Sequence, residues 1–329
     1  MKLRQYALPS GIPDPSWDAD TLHRRAGWRF AVPGAIRHDL DRLKEAGSDV
    51  IPDEALAPRI WEMAQRTRAA LRMGGVVWWK GTDALCPDEQ QRLFLALGDA
   101  LGNSMPHYGR LYKVTDRGGS YTEASIPVSQ TSAATGFHTD STARERMPDT
   151  VGLLCIRPAI RGGDTTIVNA VAIHERLRQQ HPDLLRALYQ EFIRDIVTPG
   201  FARDDAALRL NRFPVFTFGV FSSTLTFRYM RYWIESGHRR AGLPLAPIRI
   251  EALNALDALL NAPEFQLRFR LTSGDMLLLN NHLIAHNRSA YTNDPASPRM
   301  LLRMWLTNRS PTVEDDAPAP ENSNHTEPG

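Results

Sequence analysis

The fold class that this sequence predicts is mixed α+β but mainly β: a double-stranded β-helix (jelly roll) with helical insertions and bracing helices. Three observations carry that expectation. Short apolar or alternating segments recur from residue 76 to residue 306 on both sides of helical stretches. Residue types able to ligate a metal sit at the ends of strand-like runs far apart in the chain, an arrangement that suits two antiparallel sheets closed over one cavity. No GxGxxG or P-loop pattern follows a strand, which argues against an all-parallel α/β sheet.

Taken in order, residues 1–50 read as an irregular, proline-punctuated segment anchored on the body by Trp17, Trp28 and Phe30. Leu56, Ile60, Met63, Thr67 and Leu71 recur at helical spacing and predict a helix over 55–73, ended by Gly74-Gly75. A buried strand over 76–79 follows, with Trp78 and Trp79 in the core, and then a second helix over 87–101. Residues 102–135 have loop or edge-strand composition. Strands over 151–156 and 165–169 flank a tight turn at Arg161-Gly162-Gly163-Asp164, and helices are expected over 171–180 and 183–194. A strand pair spans 213–218 and 224–229 around Ser222-Ser223, and a helix covers 247–261. Strict alternation marks a half-buried strand over 265–271, the apolar run after Gly274-Asp275 marks a fully buried one, and 299–306 forms the last. Residues 1–309 are thus read as one domain, with 200–245 as a lid insertion. The polar tail 310–329 cannot bury enough surface to order itself.

Composition narrows the function. With 329 residues, 42% hydrophobic and 23% charged, the chain can build one large core. A formal charge of +2 with no Lys/Arg block gives no electrostatic case for nucleic acid or a membrane surface. Cys86 and Cys155 lack CxxC spacing, which argues against a zinc site or a disulfide framework. The start lacks an apolar signal core and no apolar run approaches the ~18 residues of a membrane span, so the expectation is a cytoplasmic protein acting on a small molecule.

The chemistry centres on His138-Thr139-Asp140. In an extended segment residues two apart share a side, so the imidazole and the carboxylate can reach one ion. Two histidines and one carboxylate form the facial set that suits ferrous iron and leaves positions open. The triplet alone means little: His181-Pro182-Asp183 has the same form but precedes an apolar series at helical spacing and reads as a helix start. The second histidine must come from the segment after residue 274, where His282 and His286 are both candidates. Arg299, Leu301, Arg303 and Trp305 alternate onto one strand face, and two inward arginines need anions, which favours carboxylate recognition. His107, Tyr108, Tyr121, Gln130 and Ser132 precede the triplet closely enough to line the same cavity. Gln130 and Ser132 would share the His138 face on an uninterrupted strand and are the best neutral substrate contacts. Arg203 to Arg212 could form a cover, and Arg209, Arg212, Arg228 and Arg231 read as surface charges.

In order and separation, His138-Thr139-Asp140, Gly162-Gly163-Asp164-Thr165, the Asn281/His286 segment and the Arg299/Arg303 pair resemble the iron(II)- and 2-oxoglutarate-dependent oxygenases of the taurine dioxygenase and clavaminate synthase group. The resemblance runs from about residue 70 to about residue 306. It implies that His138, Asp140 and His286 ligate Fe(II), that Thr165 and Arg299 hold 2-oxoglutarate, that O2 is consumed, and that Arg303 meets an anionic group of the substrate. His282 falls on a variable position, and Asn280 stands where many members have aspartate. Asp140 follows the taurine-type pattern and argues for oxygenation. The implied activity is hydroxylation, desaturation or cyclisation of a small polar substrate, an amino acid or derivative, with release of succinate and CO2. A small sulfonate, phosphonate or carboxylate is the alternative substrate. A zinc hydrolase and a non-catalytic binding protein on the same scaffold are the rival classes.

Overall fold

Met276–Asn280 lies at the middle of the major sheet, and its uninterrupted apolar run is explained by burial on both faces. It pairs antiparallel with Val76–Lys80 on one side and Thr150–Arg157 on the other. Thr150–Arg157 pairs in turn with the long strand Met300–Asn308, which carries Gly102–Ser104 and Tyr112–Val114 along its far edge. Arg29–Ala31 adds to the opposite edge, parallel to Val76–Lys80. This computed structural model describes residues 16–47, 50–105, 109–119, 126–143, 145–195, 204–218 and 225–308. His107, Tyr108, Tyr121, Arg203, the Ser222-Ser223 turn and the tail 310–329 lie outside them.

Strand alternation sends Met276 and Leu278 to the outer face and Leu277 and Leu279 to the inner one. The outer face packs on the helices Ile36–Ala46, Pro58–Met73 and Pro87–Leu101 through Ile60, Met63, Leu93 and Leu97. The contact is close: a Cβ at Gly152 would lie 2.8 Å from Met304 Cγ and 3.0 Å from Phe94 Cζ, so only glycine fits there. The inner face meets a smaller sheet in which Thr165–Asn169 runs between Leu267–Phe269 and Ile284–Arg288, all antiparallel. Trp78 of the major sheet stacks on Phe269 of the minor one with ring centroids 4.6 Å apart. Helices Ala170–Gln180, Pro182–Leu188 and Pro247–Leu260 bury Ile173, Leu185 and Leu256 in the same cluster. Among the described residues no helix is long and apolar enough to cross a membrane.

Several elements differ from the sequence reading. The first fifty residues hold the helices Ala19–Arg24 and Ile36–Ala46, whose narrow stripe of Ile36, Leu40 and Leu43 is masked by charged neighbours. Asp39 of the second is fully buried, where it accepts from Arg59 N (2.7 Å) and Ile60 N (3.1 Å) and so caps the helix Pro58–Met73. The strands that flank the turn at residues 161–164 belong to different sheets. Arg161–Gly162 pairs with Tyr291–Thr292 instead. The helix expected to reach residue 194 stops at Leu188, and Glu191–Ile193 becomes a strand on Arg212–Pro214 with Phe192 opposite Phe213. Cross-strand pairing of two aromatics outweighs the helical spacing of Phe192. Residues 213–218 divide at Val215, whose N–H donates to Leu188 O (3.0 Å). Arg228 is buried rather than exposed, donating to Glu145 O (3.0 Å) over the Phe213 ring. The helix Arg231–Ala241 was not anticipated.

Leu278 is fully buried between sheet and helices, so Leu278→Ala should cost about 2–5 kcal/mol. Urea unfolding followed by tryptophan fluorescence measures it, with the midpoint shifted and the slope unchanged.

Candidate active site

The metal-ligand residues are brought together by the backbone. His138 N–H donates to His286 O (3.0 Å) and His286 N–H to His138 O (2.9 Å), so residues 136–140 extend the minor sheet by a single bridge beyond Ile284–Arg288. Thr139 N–H donates to Tyr229 O (3.0 Å), pinning the other side of the segment. The imidazoles of His138 and His286 then lie with centroids 4.3 Å apart. After Asp140 the chain turns through Ser141 at φ 61.

Asp140 Oδ1 is 3.7 Å from Nε2 of His138 and 3.7 Å from Nε2 of His286, and one donor atom from each residue lies within 4.8 Å of the others. A first-row divalent ion with bonds of about 2.1 Å at right angles needs neighbouring donors about 3 Å apart, so a small contraction closes the set. His138 Nδ1 is 2.9 Å from Gly136 O; a proton donated there leaves Nε2 as the free lone pair. Burial, reinforced by His286, pushes the His138 ring down to about 3 and keeps it in the neutral, metal-binding form. Burial raises Asp140, but the Arg303 charge and the two imidazoles outweigh it and hold the carboxyl below its ordinary value. Imidazole and carboxylate are the donors that suit ferrous iron.

His282 does not join this set. It is buried, with Nε2 2.8 Å from Asp149 Oδ1, while its own N–H donates to Asn280 Oδ1 (3.0 Å). The adjacent Asn281 holds the metal segment instead. Its Oδ1 accepts from Asp140 N (2.8 Å), and its Nδ2 donates to Asp140 O (3.1 Å) and Pro148 O (3.1 Å).

Register explains the neighbouring residues. His286 lies opposite Ile167 and Arg288 opposite Thr165, so Thr165 shares the face that carries His286. Arg299, Leu301, Arg303 and Trp305 face the same cavity from the major sheet. The cavity has a volume of about 180 Å³. Arg299 is only 4% exposed, lies 4.9 Å from the Tyr291 ring centroid, and its Nη1 has no hydrogen-bond partner among the described residues. Burial lowers its pKa, and the nearby Tyr291 partly restores it. A buried guanidinium with a donor to spare, facing a cavity beside Thr165, fits the carboxylate of a keto-diacid. Gly163 makes room for it: it has φ 72, and a Cβ there would lie 3.3 Å from Arg299 Nε.

Three expectations change. Arg303 is not an uncompensated charge, because its Nη1 is 3.2 Å from Asp140 Oδ2 and its guanidinium lies between the rings of Trp305 (4.4 Å) and Tyr112 (4.9 Å). Gln130 and Ser132 are not on the cavity wall, since the chain is not extended before His138. Val128–Gln130 is a 3-10 turn, Gln130 Nε2 donates to Tyr112 OH (2.6 Å), and Ser132 O accepts from Tyr291 N (3.0 Å). Ser129 and Thr135 line the wall in their place. Asp195, Met230 and Trp233 also line it and were missed, as were the roles of Asn281 and Trp305. Only Trp305 had a signal, its place on the Arg299/Arg303 strand face.

The facing sheets, the His-Asp-His set and the cavity arginine define a mononuclear non-haem iron oxygenase. The chain belongs to the taurine catabolism dioxygenase TauD, TfdA family, whose model matches residues 48–305. It is similar to FR-33289 synthase of Streptomyces rubellomurinus (26% identical, 88% of each chain covered) and to a uridine-5'-phosphate dioxygenase of Streptomyces sp (28% identical, 71% of this chain and 86% of that one). In fold it is similar to asparagine oxygenase solved with Fe(II), 2S,3S-3-hydroxyasparagine and succinate (TM-score 0.62, 17% identity, 85% of this chain and 93% of that one). The non-heme iron oxygenase OrfP with Fe, succinate and (3S)-hydroxy-L-Arg is also similar (TM-score 0.59, 15% identity, 85% and 94% covered). The protein is therefore a 2-oxoglutarate-dependent dioxygenase that uses Fe(II), 2-oxoglutarate and O2.

His286→Ala should abolish Fe(II) binding in an anaerobic titration, whereas His282→Ala should keep it. The latter should lower unfolding free energy by about 1–3 kcal/mol because half-buried Asp149 loses a partner.

Proposed function

We propose that His138, Asp140 and His286 hold Fe(II), that Arg299 and Thr165 bind the distal carboxylate of 2-oxoglutarate, and that the enzyme hydroxylates a small polar substrate carrying an anionic group. The observation that carries this reading is the convergence of the three donor atoms within 4.8 Å beside a buried guanidinium that has an unused donor. When bound, iron and 2-oxoglutarate activate O2 for attack on a substrate C–H bond, with release of succinate and CO2. The chain's own groups bind, orient and exclude water. Arg299 fixes the far end of the cosubstrate, so that its keto-acid end is directed toward the metal set. Arg303 uses one N–H on Asp140 and keeps its other donors for the substrate anion, with Tyr112 and Trp305 flattening the guanidinium between them. Leu153, Leu301 and Met230 supply apolar wall that keeps bulk water away.

The favoured substrate is an amino acid or derivative, in line with the hydroxylated amino acids bound by the two structural neighbours. A small sulfonate, phosphonate or other phosphorus-containing anion is the second reading, favoured by a relative named for uridine-5'-phosphate. Within this reading the two facing sheets form a double-stranded β-helix and residues 1–309 a single domain. The lid insertion read over 200–245 falls partly outside the described residues; from its described part, Met230 and Trp233 contribute wall to the cavity. The site of action is cytoplasmic.

Anaerobic addition of Fe(II) and 2-oxoglutarate should produce the weak visible charge-transfer band of the ternary complex. A zinc hydrolase or an inert binding protein would give none. Arg303→Met should still give that band but lose substrate-accelerated succinate release by about 10- to 100-fold, the size expected for one charge-assisted hydrogen bond. Arg299→Gln should instead weaken 2-oxoglutarate binding by a similar factor, read by titrating the band. Unchanged affinity in Arg299→Gln removes the cosubstrate assignment, and unchanged turnover in Arg303→Met removes the anion assignment.

A further inference from the structure

The two oxygens of Asp140 have different surroundings. Oδ1 faces both imidazoles at 3.7 Å. Oδ2 points to the major sheet, where the Trp305 indole N–H donates to it at 2.7 Å and Arg303 Nη1 lies at 3.2 Å. The backbone on both sides of the carboxylate is held by Asn281, which fixes the point from which the side chain projects. Trp305 lies opposite Val151 on the strand Met300–Asn308, in the most extensively paired part of the major sheet, and is thus a rigid support.

From this geometry we infer that Trp305 is a positioning residue for the iron site: its indole N–H sequesters Asp140 Oδ2 and makes Asp140 a one-oxygen ligand. The inference rests on the metal assignment proposed above. A carboxylate bound through both oxygens would occupy an additional coordination position, and the chemistry needs open positions for cosubstrate and oxygen. A strong donor on the far oxygen prevents that and holds Oδ1 toward the metal. Of the two donors on Oδ2, the indole is the dedicated one. Its single N–H is spent on Asp140, whereas Arg303 has further donors for a substrate anion and can shift when that anion arrives. Trp305 would therefore keep the ligand geometry constant between the substrate-free and substrate-bound enzyme.

The test compares the wild type with Trp305→Phe and with the full-length protein carrying 3-benzothienylalanine at position 305, which keeps the indole shape without its N–H. Fe(II) affinity is measured by anaerobic titration, and the charge-transfer band of the 2-oxoglutarate complex is recorded for each. Both proteins should bind Fe(II) about 10- to 100-fold more weakly than the wild type, the usual size for losing a hydrogen bond to a metal ligand, and should shift the band. Circular dichroism should show the benzothienyl protein folded as the wild type is. Wild-type affinity and band in the benzothienyl protein would overturn the inference, whatever Trp305→Phe does, because bulk rather than the N–H would then be what matters. A wild type that itself fails to bind Fe(II) or to show the band would instead overturn the metal assignment.

Discussion

Two backbone hydrogen bonds, exchanged between His138 and His286, are the constraint on which the site depends. They join a segment that precedes the major-sheet strand Thr150–Arg157 to the edge strand of the minor sheet, and side chains at directly opposed positions of an antiparallel bridge stand next to one another. Placing the ligands this way leaves little to side-chain choice. Once the bridge forms, Asp140 is carried two residues along to the same side, and the Asn281 amide holds its N–H and C=O. Because the same minor-sheet face carries Thr165, the proposed metal ligands and the proposed cosubstrate wall are set by one register. A one-residue slip would turn His286 away from His138.

Buried charge is the second theme. Arg194 is fully buried and makes do with carbonyls, Pro214 O at 3.3 Å and Arg228 O at 2.5 Å, while burial pushes it down to about 9. The fold thus tolerates a buried guanidinium whose Nε and Nη1 have no hydrogen-bond partner among the described residues. Arg299 differs in facing the cavity, with Gly163 set back to admit it. A cosubstrate carboxylate would supply what the protein leaves out, so binding and stability are linked there. Arg303 and Asp140 compensate each other across the cavity, which makes the proposed substrate-recognition arginine and the proposed metal carboxylate parts of one network.

Much of this was legible in the sequence wherever a pattern reports directly on geometry. The continuous apolar run at Met276–Asn280 signalled a strand buried on both faces, and the alternation of Arg299 to Trp305 placed four side chains on one wall. His138 and Asp140 could be named from residue type and order, with His282 and His286 both open as the third donor, and His181-Pro182-Asp183 set aside as the start of Pro182–Leu188. What failed were arguments that assumed regular chain where there is none. Gln130 and Ser132 were projected onto the His138 face along a strand that the turn Val128–Gln130 interrupts. Choosing His286 over His282 rested on resemblance, since only the His138 bridge and the Asp149 partner separate them physically. Trp305 gave no hint of its bond to Asp140, because that contact depends on how the two sheets face each other.

The chemistry of this site depends first on where the metal sits. Anomalous diffraction at the iron edge, from crystals grown anaerobically with Fe(II), would locate it without reference to activity. The peak should lie within bonding distance of Nε2 of His138, Oδ1 of Asp140 and Nε2 of His286, with Asp140 Oδ2 still on the indole of Trp305. A peak elsewhere, such as between His282 and Asp149, would contradict it.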